Sequence, residues 1–156
     1  MTQPPEDSAE LTNFIVQRYH EVHRVQLPDL VVLARKVEQV HAGAPMVPAG
    51  LSLLLHKLLG ELVVHMQKEE MILFPAIRHG GMPGLEHPIS VMRADHEDHQ
   101  ADLAEIRAVT NNLALPDDAC GSWRALYSGM AEFLADIEAH IALENDVLFP
   151  RFEPPA

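Results

Sequence analysis

One cysteine, Cys120, stands in 156 residues. The chain can therefore form neither an internal disulfide nor a thiolate cage for zinc or an iron–sulfur cluster, which suits a reducing compartment. Basic residues are few, 11 Lys plus Arg against 23 Asp plus Glu, giving a net charge of −12. That balance argues against nucleic-acid binding, which needs a basic footprint. No apolar run approaches the roughly 20 residues of a membrane span. The longest run, around Leu51 to Leu55, is broken by His56 and Lys57. The acidic start lacks the apolar segment of a signal peptide, so a cytoplasmic protein is expected. Useful β-alternation, a phosphate loop and a nucleophile elbow are all missing. His20-Glu21-Val22-His23 is one residue short of the zinc-protease motif His-Glu-x-x-His. The ferritin-type Glu-x-x-His pattern is also absent at the positions of interest.

What is present is helix and histidine. Four stretches carry helical periodicity, from about Leu11 to Ala42, Ala49 to His79, Ile89 to Leu113, and Asp117 or Asp118 to Leu148. Leu11, Ile15, Tyr19, Val22, Leu30, Leu33 and Val37 form the apolar stripe of the first, which Pro28 should kink or split. Asp117 or Asp118 is the expected N-cap of the fourth. Short loops between long helices imply antiparallel neighbours, hence an all-α, up-down-up-down four-helix bundle. Residues 1–10 read as a disordered tail and 11–152 as one bundle domain.

Ten histidines accompany those eleven basic residues, and they are not scattered. His65-Met66-Gln67-Lys68-Glu69-Glu70-Met71-Ile72-Leu73-Phe74-Pro75 and His140-Ile141-Ala142-Leu143-Glu144-Asn145-Asp146-Val147-Leu148-Phe149-Pro150 share one phrase, His-x3-Glu-x3-Leu-Phe-Pro, which reads as a helix stop. The first and third helices also match, His20-Glu21-x-His23-x3-Leu27 against His96-Glu97-x-His99-x3-Leu103. His20 precedes His65 by 45 residues and His96 precedes His140 by 44, so the chain reads as two copies of one helical hairpin. At a rise of about 1.5 Å per residue, Glu69 and His96 both lie roughly 12–15 Å from one end of the bundle. His20 lies roughly 9 Å further from its loop than His65 does, a mismatch assigned to the Pro28 kink.

Residues four apart share a helical face, so His65 pairs with Glu69 and His140 with Glu144. Buried glutamates would be costly as lone anions, and buried imidazoles need partners. Four imidazoles (His20, His65, His96, His140) and two carboxylates (Glu69, Glu144) converging from four helices form a natural shell for two iron ions. Such a shell leaves room for an oxo or hydroxo bridge and for O2 or NO. His23 and His99 read as outer donors or pocket lining, and Asp95 as a weaker outer donor. His41 reads as a helix C-terminal residue, and His56, His79 and His87 as surface. Glu70 reads as solvated, the methionines as core, and Cys120 as structural.

Tyr19-His20, Lys36-Val37-Glu38-Gln39-Val40-His41, His65-Met66-x-Lys68-Glu69-Glu70, Pro88-Ile89-Ser90-Val91-Met92 and His140-Ile141-x-Leu143-Glu144-Asn145 together resemble a known family. It is the hemerythrin-like domain of the RIC (repair of iron centres) proteins, and the nitric-oxide-induced di-iron proteins of denitrifying bacteria look similar. The resemblance runs from about Asn13 to Arg151. It implies a bacterial cytoplasmic protein of the nitrosative and oxidative stress response. It also implies a non-haem di-iron centre with Glu69 and Glu144 bridging and His20, His65, His96 and His140 as terminal ligands. Damaged iron–sulfur proteins would be its partners, NO or O2 its small ligands, and a monomer or homodimer its state. The function implied is repair of iron–sulfur centres by iron donation or reaction with NO, the alternative being an NO or O2 scavenger or sensor. RIC proteins usually carry an N-terminal domain with a cysteine pair, whereas about ten residues precede the bundle here.

Overall fold

The computed structural model describes residues 3–155, and among them there are helices and no strands. Four rods run antiparallel. The first comprises α1 (Ser8–Ile15), a π turn (Val16–His20) and α2 (Glu21–Val40). The second comprises α3 (Leu51–Lys68), a π turn (Glu69–Leu73) and α4 (Phe74–Arg78). The third is α5 (Glu86–Val109) alone. The fourth is α6 (Gly121–Ala142), a π turn (Leu143–Leu148) and a 3-10 turn (Phe149–Phe152).

Boundaries shift where a local interaction overrides periodicity. Asp7 accepts from the Glu10 amide at 2.9 Å and opens the first helix at Ser8, inside the segment expected to be a tail. Residues 1 and 2 of that expected tail lie outside the described residues. The fourth helix is capped by Cys120, without a side-chain bond, and by neither aspartate expected there. Pro28 does not split α2; it lies within the helix, on its exposed face. His20 nonetheless reaches the level of His65, both lying against Glu69. Glu38 accepts from Gly50 N at 2.6 Å and Ser52 N at 3.0 Å, pinning the start of α3 beside the last turn of α2. Pro75 is no stop either, since helix continues to Arg78.

The core is two apolar clusters. One joins Leu27, Leu30, Val37, Leu55, Leu62, Leu103, Ile106, Trp123, Met130, Phe133 and their neighbours. The other joins Leu11, Ile15, Leu73, Phe74, Ile77, Leu85, Ile89, Met92, Leu148 and Phe149. Of the expected stripe, Val22 and Leu33 are only half-buried. Met66, Met92 and Met130 are core, but Met46, Met71 and Met82 are exposed, because they fall on outward faces or in loops. In the second cluster Gly81, at φ +98°, lets the turn after α4 close on Phe152, whose ring a Cβ there would meet at 3.3 Å. Between the clusters lies a buried layer containing His20, His65, Glu69, His96, His140 and Glu144.

Candidate metal centre

Three of these six residues lie in widened helical turns. His20 ends the first π turn, Glu69 starts the second, and Glu144 lies in the third. In both copies of the repeated phrase the Phe amide donates to the Glu carbonyl, Phe74 to Glu69 and Phe149 to Glu144. Pro75 and Pro150 have no N–H to offer the turn before them, which eases its widening. The extra residue in each turn brings Phe74 flat onto His20, with ring centroids 5.7 Å apart, and Phe149 onto His96, at 5.8 Å.

The six side chains meet as two groups that share both glutamates. His20, His140, Glu69 and Glu144 form one; His65, His96, Glu69 and Glu144 form the other, with ligand atoms within 4.8 Å of one another in each. Glu69 Oε1 lies 3.2 Å from His20 Nε2 and 3.4 Å from His65 Nε2. Glu144 Oε1 lies 2.9 Å from His96 Nε2, and its Oε2 2.9 Å from His140 Nε2.

The donors fit a cation better than they fit one another. His65 turns Nδ1 to Asp95 at 3.0 Å, and His96 turns Nδ1 to the Asn145 amide oxygen at 2.7 Å. Each Nδ1 therefore carries a hydrogen, and with both rings neutral two Nε2 lone pairs face each other at 3.2 Å. Without a cation, burial opposes a second proton on His96, but Glu144 outweighs it and raises that ring's pKa. Lone pairs repel unless a cation lies between them. Likewise His20 Nε2, both oxygens of Glu69 and Glu144 Oε1 are buried without a hydrogen-bond partner. A buried polar group left unpaired costs about 1–3 kcal/mol. Imidazole nitrogen with carboxylate oxygen suits first-row divalent metals, iron among them.

Electrostatics without metal reflect the same crowding. Burial, then the neighbouring His140, lowers His20 to about 2, and burial with His140 lowers His23 to about 3. Burial and His65 lower His99 to about 3. Burial and the carboxylate of Glu144 push Glu69 well above the usual range. Burial opposes the charge on Glu144 too, but His140 and His96 outweigh it and hold that carboxyl well below.

Around this centre the other expectations divide. Asp95 reaches His65, as an outer donor should, and His23 Nε2 lies 3.1 Å from His140 Nδ1. His99 packs edge-on against His65 with its Nδ1 unpaired. His41 caps α2, and His56, His79 and His87 are exposed. Glu70 is not solvated as read: its Oε2 accepts from His20 Nδ1 at 2.6 Å and from Arg24 at 2.8 Å. Its side chain reaches sideways to the next rod, which a count of faces on one helix cannot show. Asn145 was also missed, although it follows Glu144 as Glu70 follows Glu69, and both serve a histidine of a neighbouring rod. Cys120 accepts a hydrogen bond from His41 Nε2 at 3.1 Å, which lowers the thiol pKa. A cavity of about 360 Å³ opens beside His99 and Asp95, walled by Gly60, Glu61, Val64, Lys68 and Asp98.

Residues 13–152 match the model of the hemerythrin HHE cation binding domain. The chain belongs to that family. Hemerythrin HHE domains bind metal cations, in keeping with the buried His/Glu groups of this bundle. Among curated proteins, the chain is similar to the iron-sulfur cluster repair protein YtfE of Yersinia pseudotuberculosis serotype O:1b (strain IP 31758). The two are 48% identical over 141 residues, which is 90% of this chain and 64% of the relative. The YtfE of Citrobacter koseri is 49% identical over 143 residues, 92% of this chain and 65% of the relative. This hemerythrin domain thus spans just under two thirds of the curated relatives it matches. No helix among the described residues is long and apolar enough to cross a membrane.

Proposed function

We propose that His20, His65, Glu69, His96, His140 and Glu144 hold two non-haem iron ions, with Glu69 and Glu144 bridging. The observation that carries this is the sharing of both glutamates between two four-residue groups in which His20 Nε2, both Glu69 oxygens and Glu144 Oε1 are buried without a hydrogen-bond partner. We further propose that the chain restores damaged iron–sulfur centres in the cytoplasm under nitrosative or oxidative stress. Its similarity to proteins named for iron–sulfur cluster repair supports that reading. Iron–sulfur proteins are then its partners, and NO or O2 its small ligands.

Bound iron supplies ligand exchange and one-electron chemistry; the chain does the rest. Glu70, Asp95 and Asn145 hold Nδ1 of three histidines so that each Nε2 lone pair points inward. Phe74, Phe149 and Tyr19 lie against His20, His96 and His140 and exclude water from those faces. The cavity lined by Asp95 and His99 is separated from the buried His65 by those two side chains, which both touch it.

The test is incubation of purified protein, assayed for iron, with an iron–sulfur enzyme damaged by NO, scoring recovered activity beside NO consumption. Two irons per chain and recovered activity are expected. One iron or none would remove the di-iron reading. NO uptake without recovery would replace repair by scavenging, and neither would replace it by sensing.

A further inference from the structure

The four imidazoles are not backed alike. His20 and His65 turn Nδ1 to carboxylates, and His96 turns Nδ1 to an amide. His140 alone turns Nδ1 to another imidazole, His23, at 3.1 Å. The internal repeat explains why. Tyr19, just before His20, stands where Asp95 stands before His96. Asp95 reaches His65, whereas the Tyr19 ring lies flat on His140, centroids 5.3 Å apart and planes 7° apart, and leaves its Nδ1 to His23.

The contacts continue outward. His23 Nδ1 faces Gln26 Oε1 at 3.4 Å, Gln26 Nε2 donates to Asp136 Oδ2 at 2.9 Å, and Arg18 donates to Asp136 Oδ1 at 2.9 Å. Their direction is set from the outer end. Asp136 accepts, so the amide nitrogen of Gln26 faces it and the amide oxygen faces His23. His23 must then carry its hydrogen on Nδ1 and accept at Nε2. With a cation in the site His140 in turn donates from Nδ1, which leaves its Nε2 lone pair available to that cation beside Glu144 Oε2, 2.9 Å away. The other hairpin has the counterparts but not the chain. His99 stands for His23 with Nδ1 unpaired, and Asp102 stands for Gln26 but is held by Lys57 at 2.7 Å.

We propose that His23, Gln26 and Asp136 form a positioning chain that fixes the tautomer and tilt of His140. The chain thereby governs how long a cation is retained between His20 and His140, while leaving the one between His65 and His96 unaffected. This inference rests on the two-cation reading of the centre.

The test loads metal-free protein with Co2+ without oxygen, follows its visible absorption, and measures release to excess EDTA. Wild type is expected to take two equivalents. In His23→Leu and in Gln26→Leu, release of one equivalent is expected to quicken about 10–100-fold, the usual effect of losing such support, with the other unchanged. His23→Gln, whose amide oxygen can accept from His140, should restore slow release, and His99→Leu should leave both rates alone. The melting point of metal-free His23→Leu should hold or rise, which separates positioning from a structural role. Should His23→Leu fail to fold, Gln26→Leu at its half-buried position carries the same expectation. Two equivalents with unchanged release in these variants, or an equal effect of His99→Leu, would overturn the inference alone. Fewer than two equivalents in wild type would remove the two-cation reading and this inference with it.

Discussion

Replacing Glu69 or Glu144 by alanine removes a carboxylate from both four-residue groups at once, so iron content should fall to background in either variant. His41→Ala, at the far end of α2, should retain full iron, and atomic absorption on the purified proteins checks all three. Glu69 also burdens the empty fold, because both of its oxygens are buried and unpaired. Glu69→Leu should therefore raise the melting point of the metal-free protein while abolishing metal binding, a gain on the order of 1–3 kcal/mol. The thiol of Cys120 calls for a separate experiment. Its hydrogen bond from His41 lowers its pKa, so iodoacetamide should label it several-fold faster at neutral pH than in His41→Ala, as mass spectrometry would report.

At the scale of elements, the π turns link sequence to site. The turn Glu69–Leu73 contains one residue beyond an α turn, and Met71 within it is exposed. Deleting Met71 should turn it into an ordinary α turn, since the Phe74 amide then stands four residues after the Glu69 carbonyl that it already bonds, and the helix beyond keeps its phase. Phe74 then stays on His20 and α4 in the second core cluster, so urea unfolding should show a loss well below the about 3–5 kcal/mol of a large core truncation. The rods and the six clustered side chains were legible in the sequence because the His-x3-Glu phrase recurs in register on one helical face. The π turns were not, since Pro75 and Pro150 suggest a break in helix without saying that helix resumes. Glu70, Gln26 and Asp136 were illegible for another reason: each acts on a different rod, and single-helix periodicity holds no information about that distance.

For the whole molecule, acidity is the weak side of the metal-free state. The lowered values of His20, His23 and His99 mean that unfolded chains take up protons on these rings below about pH 6.5, while folded ones do not until about 2 to 3. Stability contributed by their neutrality is full above that upper value and is lost as pH falls. Glu69, raised, works the other way by one proton over part of the range. Stability should therefore drop by on the order of 2–3 kcal/mol per pH unit below about pH 6, measurable as a falling melting temperature between pH 7 and 4. Metal should raise and steepen the upper part of that curve, since a cation needs its ligands deprotonated and protons then compete with it.

The buried polar layer between the two apolar clusters has a mechanical meaning as well. Cations in both four-residue groups would together tie all four rods, a rivet across a seam. Without it, the end containing Leu11, Phe74, Ile89 and Phe149 is the smaller cooperative unit and should open on its own. Amide hydrogen exchange of the metal-free protein should show those amides exchanging through a partial opening, ahead of Leu55, Ile106 and Phe133. With metal bound, both ends should exchange together, through one common unfolding event.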